Sequence, residues 1–252
     1  MSSYRLQVSG SAALPVTLMD EWKEITGQTL LERFGMTETL MALSNPYRPI
    51  EGRLKGCVGK PLPGVKATLL QLPDEVPEGA TRAFLPDDSL EQGELLISGT
   101  SLFDRYHNKP EATAKEFITD PNTGERWFMT GDAATRDANG VYSIKGRLSA
   151  DIIKKGGYKI SALDIEGVML RSPTIKEICV LGVPDEKYGD EIAALVVMNQ
   201  GHDFDEKALH DFGKEFMSSY KVPRIWKELK ELPRNQMGKI NKKQVRANFD
   251  SL

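Results

Sequence analysis

Four short segments combine residue types that could do chemistry on a bound nucleotide. In the first, Phe34-Gly35-Met36-Thr37-Glu38, a hydroxyl and a carboxylate follow a glycine after an apolar run. Thr37 and Glu38 could lie beside phosphate groups, and Glu38 could then hold Mg²⁺, a hard cation that prefers oxygen ligands. The alternative is the start of a helix, with Thr37 as the N-cap and Glu38 in the first turn.

The second segment, Trp127-Phe128-Met129-Thr130-Gly131-Asp132, places an acid after a glycine at the end of an apolar run. Asp132 could accept two hydrogen bonds from ribose hydroxyls, and hydrogen bonds to a charged acceptor are among the stronger ones. The alternative is an Asx turn, in which Asp132 bonds its own backbone.

The other two segments are rich in glycine and in cations. Residues 146–159 contain four cations and three glycines around a short apolar core, and paired glycines allow a ligand to approach the backbone closely. Residues 232–240 present Lys239 on a turn-rich loop, where a mobile lysine could neutralise charge between a carboxylate and an α-phosphate. The alternatives are a solvated linker for the first segment and an ordinary exposed lysine for the second.

Several function classes are not expected. Lys60 and Lys239 each follow a glycine but lack the Ser or Thr that comes next in a P-loop. The chain has no GxSxG elbow, and its three histidines lie in polar surroundings, so a Ser-His-Asp hydrolase is disfavoured. Cys57 and Cys179 lack metal-site spacing and are expected to be buried, reduced thiols.

The composition also limits the partners. The 252 residues include 33 Lys plus Arg and 36 Asp plus Glu, a formal net charge of −3. This weak balance favours neither nucleic acid nor an acidic membrane surface as a partner. No apolar run is long enough to predict a membrane span.

The four segments are positioned by a mixed α and β framework. Apolar periodicity predicts helices over 16–25, 162–171, 205–219 and 242–248. Short apolar runs between turn signals predict strands over 4–8, 29–34, 65–72, 93–98, 141–145, 175–183, 191–198 and 224–229. We expect residues 56–64 and 73–90 to be loops, residues 65–145 to form a β-rich subdomain, and a domain boundary after Gly146.

Together and in this order, the segments resemble the adenylate-forming (AMP-binding) acyl-CoA synthetases. Residues 33–38 match the aromatic-Gly-x-Thr-Glu motif of that family, residues 93–99 its Gly-Glu-Leu strand, and residues 130–132 its ribose-binding acid. Gly146-Arg147 matches the start of the hinge motif, and residues 233–239 match the loop with the catalytic lysine. Within the family, the sequences of residues 32–46, 59–65, 149–166 and 232–243 look most similar to malonyl-CoA synthetases of the mitochondrial type.

The resemblance implies a role for each candidate residue and a fold in two parts. Residues 1–146 would be the carboxyl-terminal portion of a large α/β AMP-binding domain with a β-rich subdomain, and residues 147–252 a small mobile α+β lid. Lys239, Thr37 and Glu38 would be catalytic, with Glu38 on Mg²⁺. The expected ATP or AMP contacts are Gly10, Ser11, Ala12, Phe34, Gly35, Met36, Thr37, Asp132, Arg147 and Lys239. The expected coenzyme A contacts are Lys154, Gly156, Gly157 and Tyr158.

The implied activity is ATP-dependent formation of malonyl-CoA or methylmalonyl-CoA from the small carboxylic acid, ATP and CoA, with a mitochondrial location (otherwise cytoplasmic). The arginine that would pair with the distal carboxylate is not identified.

The sequence departs from the family at the pivot, which could be Ser149 or Ala150. It also lacks the family's Thr/Ser/Gly-rich phosphate loop, and residues 4–8 resemble a strand already inside a domain, so the chain is expected to lack its amino-terminal half. A non-catalytic or partner-binding fragment, a medium-chain acyl-CoA synthetase and an aryl or amino-acid adenylation domain are the alternatives.

Overall fold

The chain forms two compact units, Met1–Ile144 and Lys145–Leu252. The computed structural model describes residues 4–77, 80–236, 238–247 and 249. The division lies close to the predicted boundary after Gly146. That the units are part of a large domain and its lid stays a prediction.

The first unit opens with a small mixed sheet. Its strands are β1 (Val8–Ser9), β2 (Leu31–Met36), β3 (Leu40–Ser44) and β4 (Lys60–Pro61), in that spatial order. Helix α1 (Val16–Thr26) connects β1 to β2, which run parallel, as a crossover helix allows. The helix ends at Gly27, which takes a left-handed φ of 72°.

A second, antiparallel sheet completes the first unit. It comprises β5 (Val65–Leu70), β6 (Gly93–Gly99), β7 (Phe117–Thr119), β8 (Arg126–Arg136) and β9 (Tyr142–Arg147), and α2 (Pro110–Lys115) precedes β7. The last three residues of β9 belong to the second unit. The order is β5-β6-β8-β7, with β9 also paired to β8. Buried residues from both sheets, among them Leu43, Leu69, Leu95 and Tyr142, pack in one cluster, so the two sheets share a core.

The second unit is a five-stranded sheet with helices on both faces. Its elements are β10 (Ile152–Lys155), β11 (Tyr158–Ser161), α3 (Ala162–Met169), β12 (Ile175–Asp185), β13 (Gly189–Met198), α4 (Glu206–Phe216), β14 (Ile225–Glu228) and α5 (Lys242–Ala247). Alternate residues of β12 face opposite sides, so Val180 packs in the cluster with α3 and α4. Its neighbour Cys179 packs in the cluster with α5. Both faces of β12 are covered, which explains its nearly continuous apolar run.

Most predicted elements are confirmed, and three are corrected. The strand predicted over 4–8 is reduced to β1, and the loop predicted over 56–64 contains β4. The loop predicted over 73–90 is not wholly exposed. Leu85 N donates to the Leu69 carbonyl at 2.8 Å and Gln71 N to the Ala83 carbonyl at 2.8 Å. These bonds hold part of the loop against β5, because the unpaired edge of that strand offers backbone donors and acceptors.

No helix of the described residues is both long enough and apolar enough to cross a lipid bilayer.

Candidate active site

The residues predicted to contact adenine and those predicted to contact phosphate lie at one edge of the first sheet. In the parallel pair, Ser9 of β1 lies opposite Glu32 of β2. Gly10 follows at once, and a Cβ atom there would come within 3.2 Å of a β2 carbonyl oxygen. The carboxyl ends of parallel strands meet at one edge, where α/β sheets bind their ligands. Residues 10–12 and 35–38 therefore share an edge.

The phosphate segment is a tight turn between two strands. Residues 37–39 form the turn that joins β2 to β3, so the helix-start alternative is wrong. A Cβ atom at Gly35 would lie 2.2 Å from the Leu40 carbonyl oxygen, a distance that only glycine tolerates. Thr37 is exposed, whereas Phe34 packs against the shared core of the first unit. The hydroxyl of Thr37 is thus presented at the surface by a rigid hairpin.

The carboxylate of Glu38 is held by a tyrosine that the sequence analysis missed. Tyr106 donates its hydroxyl to Glu38 Oε1 at 2.9 Å, and Phe103 N donates to the Glu38 carbonyl at 2.8 Å. Burial, reinforced by the Glu38 carboxylate, raises the pKa of Tyr106 to about 12. The hydroxyl therefore stays a donor at neutral pH and orients the carboxylate.

Asp132 lies within β8, not in the Asx turn that was the alternative to a ribose contact, and is only 5% exposed. The pairing of β8 with β6 changes register here, and Gly131 takes a φ of 72°. In this bulge Thr130 Oγ1 donates to the Leu95 carbonyl at 2.9 Å and accepts from Asp132 N at 3.1 Å. A bulge of this kind re-aims a side chain and is frequent beside active sites.

A single carboxylate, that of Glu38, is compatible with the predicted Mg²⁺ site. Among the side chains that the structure describes, no group of three or more His, Cys, Asp or Glu residues is placed to hold a metal ion. Mg²⁺ is usually bound through one or two carboxylates together with substrate phosphates and water. Glu38, at the predicted phosphate turn, fits that kind of site.

In the second unit, Arg147 opens a hydrogen-bonded turn. Its N–H donates to Asp151 Oδ2 at 2.8 Å, and its carbonyl accepts from Ala150 N at 3.1 Å and Asp151 N at 2.8 Å. A Cβ atom at Gly146 would lie 2.3 Å from the Asp151 Cβ. The two candidate pivots, Ser149 and Ala150, are therefore enclosed by this turn.

The predicted coenzyme A segment is a β-hairpin. Gly156 and Gly157 form the connection between β10 and β11 with φ values of 57° and 83°, as in a type I′ turn, which requires positive φ at both positions. Lys154 is exposed on β10. Tyr158 is 60% exposed, and its ring lies 5.0 Å from that of Tyr220.

Lys239 lies on the exposed loop between β14 and α5. Asn235 closes this loop, because its N–H donates to the Lys239 carbonyl at 2.8 Å and its Oδ1 accepts from Lys239 N at 3.0 Å. The Lys239 side chain is exposed. Met237, inside the same loop, lies outside the described residues.

A cavity of about 680 Å³ in the first unit has two cations in its lining, Arg33 of β2 and Lys60 of β4. Arg33 pairs with Ser44 and Met36 with Leu40, and the lining continues through residues 44–47, so the cavity lies toward the end of the hairpin away from the phosphate turn. Most of its lining is apolar.

Comparison with known families finds a match within each unit. Residues 1–107 match the model of the AMP-binding enzyme family, and residues 164–239 match the model of the AMP-binding enzyme C-terminal domain. The chain belongs to the AMP-binding enzyme family. The predicted resemblance is thereby confirmed.

Similar curated proteins include malonate–CoA ligases. The chain is 44% identical to the mitochondrial malonate–CoA ligase ACSF3 of Mus musculus over 96% of this chain and 42% of that protein. It is 42% identical to the malonate–CoA ligase of Arabidopsis thaliana over 98% of this chain and 39% of that protein. The chain therefore spans about two fifths of the length of these relatives.

Solved structures agree with the fold class. ATP-bound MatB from Rhodopseudomonas palustris matches with a TM-score of 0.85 and 34% identity, over 97% of this chain and 45% of that one. The anthranilate CoA ligase AuaEII, in complex with anthranoyl-AMP, matches with a TM-score of 0.82 and 31% identity, over 100% of this chain and 46% of that one. The predicted adenylate-forming fold is confirmed, whereas the roles of the individual residues stay predictions.

Proposed function

We propose that this chain carries the site of an ATP-dependent acid–thiol ligase that converts malonate, or methylmalonate, to its CoA thioester through an acyl-adenylate. The observation that carries the proposal is the common sheet edge of residues 10–12 and 35–38. The identity of 44% to a malonate–CoA ligase along nearly the whole chain supports the choice of acid.

The reaction needs two displacements. A carboxylate is a poor acylating agent, because oxide is a poor leaving group. In the first step a carboxylate oxygen attacks the α-phosphorus of ATP and pyrophosphate leaves. In the second step the thiol of CoA attacks the acyl carbon, loses its proton, and AMP leaves.

Each candidate residue either binds one part of the nucleotide or stabilises charge in the reaction. Asp132 accepts hydrogen bonds from the ribose and Arg147 binds the same sugar, so that the α-phosphate is held in place. Thr37 contacts phosphate. Lys239 stabilises the charge that develops in the adenylation transition state, an effect realised only as the reaction proceeds.

Mg²⁺ and coenzyme A complete the proposed set of ligands. Glu38 would hold the metal, oriented by Tyr106, and the bound ion would supply positive charge to the phosphates. The hairpin turn at Gly156 and Gly157, with Lys154 and Tyr158 beside it, would border the channel of the pantetheine arm. In family members a hinged rotation of the small domain allows one site to catalyse both steps in turn.

The acid is proposed to be a short dicarboxylate. The malonate–CoA ligases among the similar proteins support this choice. A mitochondrial location is proposed from the relatives, and imaging of the tagged protein in its own cells tests it, with a cytoplasmic signal as the contrary result.

The test is exchange of labelled pyrophosphate into ATP by the 252-residue chain, with malonate, methylmalonate and octanoate compared. We expect exchange with malonate that falls about 100-fold or more in Lys239→Ala. The exposed neighbour Lys243→Ala is the matched control and keeps the native rate.

Three outcomes would contradict parts of the proposal. Absence of exchange with every acid would favour the non-catalytic fragment. A preference for octanoate would favour the medium-chain synthetase. Native exchange by Lys239→Ala would remove the lysine from the mechanism.

A further inference from the structure

Lys242 is a largely buried cation that faces two carboxylates and one backbone carbonyl. Its side chain is 11% exposed, and its Nζ lies 2.7 Å from Asp151 Oδ1, 2.7 Å from Glu166 Oε1 and 3.0 Å from the Val180 carbonyl. Glu166 Oε1 and the Val180 carbonyl accept hydrogen bonds from Nζ, and Asp151 Oδ1 forms an ion pair with it. Although burial acts to lower it, the carboxylates of Glu166 and Asp151 hold the pKa of Lys242 above its usual value.

Asp151 connects Lys242 to the turn that follows Arg147. Its Oδ1 faces Lys242, while its Oδ2 accepts the Arg147 N–H at 2.8 Å. One carboxylate thus bonds both to the lysine of α5 and to the turn that encloses the candidate pivots. Without the lysine, Oδ1 would be a buried charge lacking its counter-ion, and the turn would lose the group that fixes its carboxylate.

The lysine is also attached to the loop that presents Lys239. Lys242 is the first residue of α5 and follows Lys239 by three positions. Asn241, between them, caps the helix by accepting Gln244 N at 3.2 Å. Fixing the Lys242 ammonium therefore fixes the carboxyl end of the loop, whose other end is closed by Asn235.

Glu166 anchors the cluster to the sheet. Its Oε1 accepts the Val180 N–H at 2.7 Å as well as the Lys242 ammonium. The cluster therefore connects α3, β12, α5 and the Arg147 turn. Buried ion pairs of this type are weak evidence of a gain in stability, but a cation with matched partners favours one arrangement over others.

We propose that Lys242 is a positioning residue, whose buried ammonium couples the Arg147–Asp151 turn to the Lys239 loop so that the two segments hold a fixed geometry. Lys242 itself touches no substrate. The catalytic consequence rests on the proposed ligase function, whereas the coupling rests on the contacts within the second unit.

The structural test is residue-resolved amide hydrogen exchange by NMR on the full chain. Lys242→Met is compared with Lys243→Met, a matched change at the exposed next residue. In Lys242→Met we expect exchange to rise about tenfold at Ala150 and Asp151, and equally at Gly238 and Lys239, because both segments open locally. Amides of β12 and β13 should change less than about twofold, and Lys243→Met should match the native chain.

A rise in only one of the two segments, a uniform rise over the second unit, or no rise would overturn the coupling. If Lys242→Met does not fold, Lys242→Met with Glu166→Gln is used, since it removes one charge of each sign. In that double variant, amide exchange must again rise in both segments.

The catalytic readout separates positioning from simple stabilisation. In pyrophosphate exchange we expect Lys242→Met to lower kcat about tenfold with little change in the KM for ATP, because an interaction specific to the transition state is misplaced. Lys242→Arg, which keeps the cation, should recover most of that loss. An unchanged kcat, or no recovery by arginine, would contradict the catalytic consequence. Absence of exchange by the native chain would refute the proposed function and leave the amide-exchange result to decide the coupling.

Discussion

Glu32 is a buried carboxyl group on the strand that leads to the phosphate turn. It is 5% exposed, and Leu14 N donates to its Oε1 at 3.3 Å. Burial raises its pKa from 4.5 to about 7, with the Leu14 hydrogen bond acting in the opposite direction. At physiological pH this carboxyl is thus partly protonated.

The raised pKa predicts a stability that falls as the pH rises. Between the unfolded value of 4.5 and the folded value of about 7, the folded state binds more protons than the unfolded one, so each rise in pH favours unfolding. The loss is complete above the folded pKa and amounts to about 2–3 kcal/mol by pH 8. Glu32→Gln should remove this dependence. The measurement is urea unfolding at pH 5 and pH 8.

The contribution of Glu32 is the difference between the pH slopes of the native chain and of Glu32→Gln. Asp104→Asn, which changes a carboxylate 78% exposed in its side chain, is the control and should keep the native slope. An equal pH slope in the native chain and in Glu32→Gln would show that Glu32 does not titrate in this range.

At the residue scale, the sequence predicted the residue types of the candidate site but not the contacts that orient their side chains. Thr37, Glu38, Asp132 and Lys239 could be found because each lies in a short segment with its own pattern. Tyr106 could not, because it lies 68 residues from Glu38 in sequence, in the loop between β6 and α2, and only the tertiary fold brings the two together.

At the element scale, the geometry of the hairpin of β2 and β3 is tightly restricted at Gly35. The glycine at position 35 was visible in the sequence, but the reason for it was not. A Cβ atom there would meet the Leu40 carbonyl, since the pairing of the two strands shifts between Phe34 and Gly35. The turn of residues 37–39 depends on this close approach.

Gly35→Ala should therefore destabilise the first unit by about 1–3 kcal/mol, as overpacking against backbone atoms does. The matched control is Gly167→Ala in α3, where a Cβ atom meets nothing within 4 Å and alanine should stabilise the helix by up to about 1 kcal/mol. Urea unfolding followed by circular dichroism measures both. A Gly35→Ala chain as stable as the native one would contradict the close approach.

Element boundaries show where sequence periodicity fails. α1, α3 and α4 were predicted within a few residues, because each has spaced apolar residues and a capping residue or a glycine stop. β1 and β4 are only two residues long, too short for any alternation to define them. The register shift at Asp132 has no signal in the sequence, since it follows from how β8 meets β6.

At the scale of the whole molecule, the chain carries one set of candidate site residues in each unit. Residues 10–12, 35–38 and 132 belong to the first unit, and residues 147, 154–158 and 239 to the second. The proposed ligase function predicts an acyl-adenylate, in which an oxygen of the acid becomes bonded to the α-phosphorus.

The most direct measurement of that claim uses malonate labelled with ¹⁸O in its carboxylates, supplied with ATP and CoA. Because the carboxylate oxygen that attacks the α-phosphorus stays there when the thiol displaces AMP, mass spectrometry should find one ¹⁸O in each AMP released. AMP without ¹⁸O, or ¹⁸O in inorganic phosphate together with ADP, would contradict adenylate formation.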